Sequence, residues 1–284
     1  MNYSQNQMKM EKLKVLIPTD FSVQAEYAFI LVNRLQVKLP MEIHFLHVLN
    51  FPDTVTLDSF GTISTCGEID AGYVTVQRDL AMDKLNALKS VYGKEISSHL
   101  VVGKTIDAIV AFAEKESFDL IAMGTKGAWG LKERLSGTET QYVARKTTVP
   151  VLSLMCDRSD LEIDHLLFVH DFSDTAHQEL DLMKKLQSAF NATLHLLQIV
   201  KNEELIADTE RSMEDFAARH ELNNVEKHIL KDKDVESGVI HFNQMNTMDI
   251  IFIGTYQKKG VFHSSATEKL INHLFKPIIS FQLN

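Results

Sequence analysis

Two halves of this 284-residue chain repeat each other in order, and the repetition limits the fold more than any other feature. KVLIPTDFSVQAEYAFILVNRL (14–35) and HLLFVHDFSDTAHQELDLMKKL (165–186) share an apolar run, the triplet Asp-Phe-Ser and a helix-period segment. The correspondence continues downstream. IHFLHVLN (43–50) answers to LHLLQIVK (194–201), FDLIAMGT (118–125) to MDIIFIGT (248–255), and VPVLSL (149–154) to KPIISF (276–281). Matched segments in one order indicate an internal duplication.

Within each copy, continuous apolar runs such as Val15, Leu16 and Ile17 read as strands buried on both faces. Ile106, Ile109, Val110 and Ala113 instead recur at helical spacing. The resulting β-α-β-α rhythm predicts an α/β fold with a parallel sheet in each copy. The expected units are residues 11–156 and 162–284, joined by the polar linker CDRSDLE (156–162). Ser22 and Ser173 stand where an N-cap would open the first helix of each copy. Residues 50–73 form a long unpatterned stretch that the second copy largely lacks, and it is expected to reach over a ligand at the end of the second strand.

Composition excludes several classes. A formal net charge of -9 without a Lys/Arg stripe repels phosphate backbones, so nucleic acid is not an expected partner. No apolar run approaches the roughly 20 residues needed to span a bilayer. MNYSQNQMKMEKLK (1–14) does not read as a signal peptide, and a cytoplasmic location is expected. Cys66 and Cys156 read as free thiols. Among the twelve histidines, His44 and His47 fall at odd spacing on a predicted strand and so face opposite ways. His241, His263 and His273 form no metal-binding pattern, and no metal ligands are expected from protein side chains. His170 beside Asp171 reads as a structural pair.

The segment MGTKGAWGLKERLSGTET (123–140) leaves a predicted strand end, where ligands of open α/β sheets bind. Its glycines admit an anion to backbone amides, and the helix starting near Thr138 adds unpaired N–H groups. On physics alone, the same glycines serve a turn and helix packing equally well. No Walker A pattern is present, nor a G-x-G-x-x-G fingerprint after a strand.

The spacing Gly124-x2-Gly127-x9-Gly137-Thr138, after DLIAM and before VARKTTVPVLSL, resembles the nucleotide-binding signature of the universal stress protein family. LIPTDFS and HFLHV resemble that family's first two strands, and the resemblance covers the chain as two tandem domains. It implies doubly wound, Rossmann-like domains, each with a five-stranded parallel sheet in the order 3-2-1-4-5. It also implies ATP or a related adenine nucleotide as ligand, with Mg2+ or Mn2+ held through the phosphates. Carried over by residue, Pro18, Thr19 and Asp20 lie at the adenosine end, Val48 borders the adenine and Met123 borders the pocket. Gly124, Lys126, Gly127, Gly137, Thr138 and Thr140 carry the phosphates.

Glu139 departs from the family's small or apolar residue and would repel phosphate unless it points away or meets a cation. In the second copy His170 replaces Thr19, Val169 replaces Pro18, and Gln257, Ser264 and Ser265 replace glycine-loop residues. Binding is therefore expected in the first copy only, as a switch that changes the surface shown to an unidentified protein partner. The family's habit of dimerising through its last strand implies an intramolecular pseudo-dimer around VPVLSL and KPIISF, and leaves a homodimer open. No nucleophile or general base stands out, so at most slow ATP hydrolysis or autophosphorylation is expected. A structural or interaction protein without nucleotide is the alternative.

Overall fold

The computed structural model describes residues 12–58, 60–67, 69–93, 95–125, 139–172, 179–256, 270–271 and 274–283. In the first half, β1 (Leu13–Pro18) is followed by α1 (Val23–Gln36), β2 (Met41–Leu49), the short β3 (Val55–Leu57) and β4 (Ile63–Thr65), and α2 (Ala71–Tyr92). Then come β5 (Ser97–Val102), α3 (Thr105–Lys115), β6 (Leu120–Gly124), α4 (Glu139–Lys146) and β7 (Val151–Leu154). The second half contains β8 (His165–Val169), α5 (Glu179–Phe190), β9 (Thr193–Val200), a 3-10 turn, α6 (Ile206–Arg219), β10 (Val225–Lys231), α7 (Val235–Met245), β11 (Ile250–Tyr256) and β12 (Ile278–Leu283).

All strands but β3 and β4 form one sheet in the order β10-β9-β8-β11-β12-β7-β6-β1-β2-β5. Each half runs 3-2-1-4-5 in its own strand sequence, the expected order, with parallel neighbours throughout. The halves meet edge to edge where β7 and β12 pair antiparallel, Leu152 opposite Ile279. That pairing satisfies two strand edges that each half would otherwise leave open.

Strand alternation sends side chains to two faces. One face carries Val15, Ile17, Phe45 and Leu152 together with Phe168, Leu196 and Phe281, packed under helices α1, α2, α5 and α6 in a single apolar cluster that crosses the join. On the other face the apolar clusters are separate. Leu16, Leu46 and Ile121 pack under α3 and α4, and Leu167, Leu197 and Ile251 pack under α7. Helices on both faces make the sheet doubly wound.

The stretch 50–73 departs from the loop expected of it. It folds back as the β3–β4 hairpin, with Asp58 Oδ1 accepting from the Phe60 and Thr62 amides at 2.9 and 2.8 Å. Arg78 of α2 donates to the Gly61 carbonyl at 2.6 Å, and Asp70 caps α2 through the Tyr73 amide. Val55, the first residue of β3, is buried. No described residue of this stretch borders the cleft considered next.

Candidate functional site

At the C-terminal ends of β1, β2 and β6 the loops part around a cleft of about 490 Å³, within the size range of small-molecule sites. Pro18, Thr19, Asp20, Val48, Met123, Gly124 and Thr140 all line it. These are all the described members of the residue set read from sequence. Lys126, Gly127, Gly137 and Thr138 lie outside the described residues, as does Trp129.

The turn after β1 is fixed by its own side chains. The Thr19 amide donates to the Leu46 carbonyl at 2.8 Å, which ties the strand end to β2. Thr19 Oγ1 accepts from the Phe21 amide at 3.0 Å, and Asp20 Oδ1 accepts from the Ser22 amide at 2.9 Å. These bonds hold Phe21 at φ 64, in the left-handed region. Ser22 then caps α1, its Oγ accepting from the Ala25 amide at 3.3 Å, as the sequence led us to expect. Asp20 itself is exposed, with its carboxylate at the cleft.

His47 is the cleft residue that sequence reading missed. Its Nδ1–H donates to the Thr19 carbonyl at 2.7 Å, and its ring lies 4.5 Å from that of Phe21. Burial is the main cause that lowers its pKa. The Thr19 bond opposes this, the nearby Lys84 adds to it, and Asp20 opposes it. His47 is thus a neutral brace between β2 and the Asp20 turn. His44 faces the other way, bonded to His99 and Glu42, as the odd spacing predicts.

Two of these residues also have packing roles of their own. A Cβ on Gly124 would sit 1.8 Å from the Gln24 carbonyl oxygen, so this glycine lets the first turn of α1 lie directly on the end of β6. Thr140 is buried, and its hydroxyl donates to the Gly124 carbonyl at 3.2 Å. A hydroxyl has one proton to give, so Thr140 holds α4 to β6 and is not a free donor toward phosphate. Glu139 opens α4 at the mouth of the cleft, where its charge suits the helix N-terminus. Thr105 and Ile109, from the first turns of α3, complete the wall. Lys104 at the α3 N-cap makes no side-chain capping bond.

In the second half the backbone turn is copied and its chemistry changes. The His170 amide donates to the Leu197 carbonyl at 3.2 Å, and Phe172 sits at φ 54, as Phe21 does. The Phe172 amide now donates to His170 Nδ1 at 2.7 Å in place of a threonine oxygen. The His170 ring is buried, stacked 5.2 Å from Phe168 and lying 5.7 Å from Phe216. Burial lowers its pKa, against the pull of Asp171 and helped by His220. The expected replacements Gln257, Ser264 and Ser265, and Ser173, lie outside the described residues.

A crevice at the C-terminal ends of the strands of a doubly wound sheet is where open α/β proteins bind their ligands. Comparison with known proteins narrows the class. The sequence model of the universal stress protein family matches residues 13–154, and the chain belongs to that family. Two universal stress proteins of Methanocaldococcus jannaschii are 31% and 30% identical over 149 and 140 residues, each alignment covering 49% of this chain and respectively 92% and 79% of theirs. The crystal structure of a universal stress protein from Archaeoglobus fulgidus shares the fold across 95% of this chain and 98% of its own, at TM-score 0.75 and 22% identity. A universal stress protein solved in complex with cAMP aligns with 43% of this chain and 99% of its own at TM-score 0.36 and 13% identity, too distant for its ligand to be carried over.

Proposed function

We propose that the chain binds an adenine nucleotide, ATP or a close relative, in the first-half cleft and acts as a ligand-dependent switch in a stress response. The observation that carries this reading is that every described residue of the family's nucleotide signature, from Pro18 to Thr140, borders one cleft. Its apolar wall of Leu46, Val48, Ile109 and Met123 suits a base, and the Thr19–Asp20 turn suits a ribose. Lys126, Gly127, Gly137 and Thr138 would hold the phosphates. Mg2+ or Mn2+ on those phosphates would neutralise Glu139 at the mouth. In this reading residues 11–156 and 162–284 are tandem units of a cytoplasmic protein. The second unit is a partner without nucleotide, since His170, packed among aromatic rings, stands where Thr19 stands in the first.

Glu139 favours the alternative of an interaction protein that binds no nucleotide. The two readings separate on the small molecules released when freshly purified protein is denatured, identified by mass spectrometry. Adenine nucleotide from the wild type and none from Val48→Trp or Gly137→Glu supports the proposal. Absence from the wild type, together with a melting temperature unmoved by added Mg-ATP, rejects it.

A further inference from the structure

The other ends of the second-half strands carry a cluster that the sequence reading did not find. His195 of β9, and Glu226 and His228 of β10, bring three ligand atoms together on the α7 face. His195 Nδ1 lies 2.9 Å from His228 Nε2 and 3.5 Å from Glu226 Oε2, and the latter two are 3.8 Å apart. A point equidistant from the corners of that triangle lies about 2.0 Å from each, the bond length of Zn2+ to imidazole nitrogen and carboxylate oxygen. We propose that His195, Glu226 and His228 bind one divalent transition-metal ion of the zinc class, tying the edge strand β10 to β9.

The donor set, two imidazoles and a carboxylate, is a zinc set. Glu226 is exposed and His228 half-buried, so the ion's fourth position opens to water. His165 of β8 supplies the supporting bond that metal-bound histidines require: its Nδ1 lies 3.0 Å from His195 Nε2. A proton on His195 Nε2, donated to His165, leaves His195 Nδ1 bare toward the ion. Without metal, His228 Nε2–H donates to His195 Nδ1. With metal, His228 takes its other tautomer, with the proton on Nδ1, and no net proton is released from the neutral rings. Burial holds both His195 and His228 below the ordinary histidine pKa, although Glu226 opposes this for each.

The duplication supplies a control. His44 and His99 form the same pair at 2.9 Å in the first half, and His99 lies beside Phe112 of α3 as His228 lies beside Phe242 of α7. Opposite His44, however, stands Ser97, whereas Glu226 stands opposite His195. Glu42 bonds the far nitrogen of His44 instead. The first half thus offers two ligands on that side and the second three.

The test strips full-length protein with EDTA, dialyses it against ZnCl2 and counts bound zinc by atomic emission, with thermal melts alongside. One Zn2+ per chain and a raised melting temperature are expected for the wild type, for H99Q and for D20A. E226Q and H228Q lose that zinc, and H165Q weakens it about 10–100-fold. E226Q alters an exposed side chain, so its folding is not at issue if H228Q fails to fold. Absence of zinc from the wild type, or as much zinc in E226Q and H228Q as in the wild type, overturns the proposal. Because Asp20 borders the nucleotide cleft and is not one of the three zinc ligands, failure of the nucleotide reading would leave this result unchanged.

Discussion

Replacing Gly124 with alanine tests the packing that shapes the cleft. The added Cβ would meet the Gln24 carbonyl oxygen at 1.8 Å and its carbon at 2.2 Å, whereas ordinary carbon–oxygen contacts begin near ~3.3 Å. About 1.5 Å of separation must come from moving either the end of β6 or the first turn of α1, and both are backbone. Overpacking typically costs ~1–3 kcal/mol, and a clash between two backbones belongs at or above the upper end. For a chain of 284 residues, about 3 kcal/mol lowers the melting temperature by roughly 5 °C. Gly238 in α7 is the comparison. Its Cβ would meet Ile199 Cδ1, Cγ1 and Cγ2 at 2.5, 2.7 and 2.9 Å, so a side chain and not a backbone must shift, and alanine regains about 1 kcal/mol of helix propensity. Thermal and urea unfolding of both variants should show Gly124→Ala more strongly destabilised than Gly238→Ala. Equal stability of the two would refute the close approach, and with it the shape assigned to the cleft wall.

Two further perturbations follow from the Asp-Phe-Ser turns. His170 accepts the Phe172 amide only when Nδ1 is unprotonated, and burial lowers its pKa. Below the unfolded histidine pKa of about 6.5 the unfolded chain therefore binds the extra proton first, and stability falls as pH drops from 7 toward 5, by at most ~1.4 kcal/mol per pH unit from this group. His170→Thr, which installs the residue found at Thr19, should flatten that dependence in urea titrations at pH 7 and 5.5, and an unchanged slope would sink the assignment. Ser22→Ala removes the α1 cap and should cost about 1 kcal/mol by denaturant midpoint, with no loss expected if the Ala25 amide were otherwise satisfied.

The buried centre of the fold was legible because its strands are apolar on both faces. β1, β6, β8 and β11 announce themselves as continuous runs such as Leu120–Met123, and the family resemblance implied their order in the sheet. The outermost strands were not read. Ser97–Val102 and Val225–Lys231 are half-exposed edges whose polar residues obscure any alternation. His99 and His228 lie on those strands, so a cluster assembled across strands had no spacing by which to be found. The three-residue strands of the β3–β4 hairpin are likewise too short to show a period. At the cleft, Pro18, Thr19, Asp20 and Met123 came from the family resemblance, and they sit at or just beyond strand ends. The brace from His47 and the inward turn of the Thr140 hydroxyl depend on contacts with Thr19 and Gly124 that are distant in sequence, and only the fold brings them together.

The central claim is one nucleotide site per chain, in the first half. Calorimetric titration of Mg-ATP into nucleotide-stripped wild-type protein measures it most directly, with Val48→Trp and His170→Thr run in parallel. The account predicts one site per chain in the wild type and in His170→Thr, and none in Val48→Trp. No binding to the wild type, two sites per chain, or undiminished binding to Val48→Trp would contradict it.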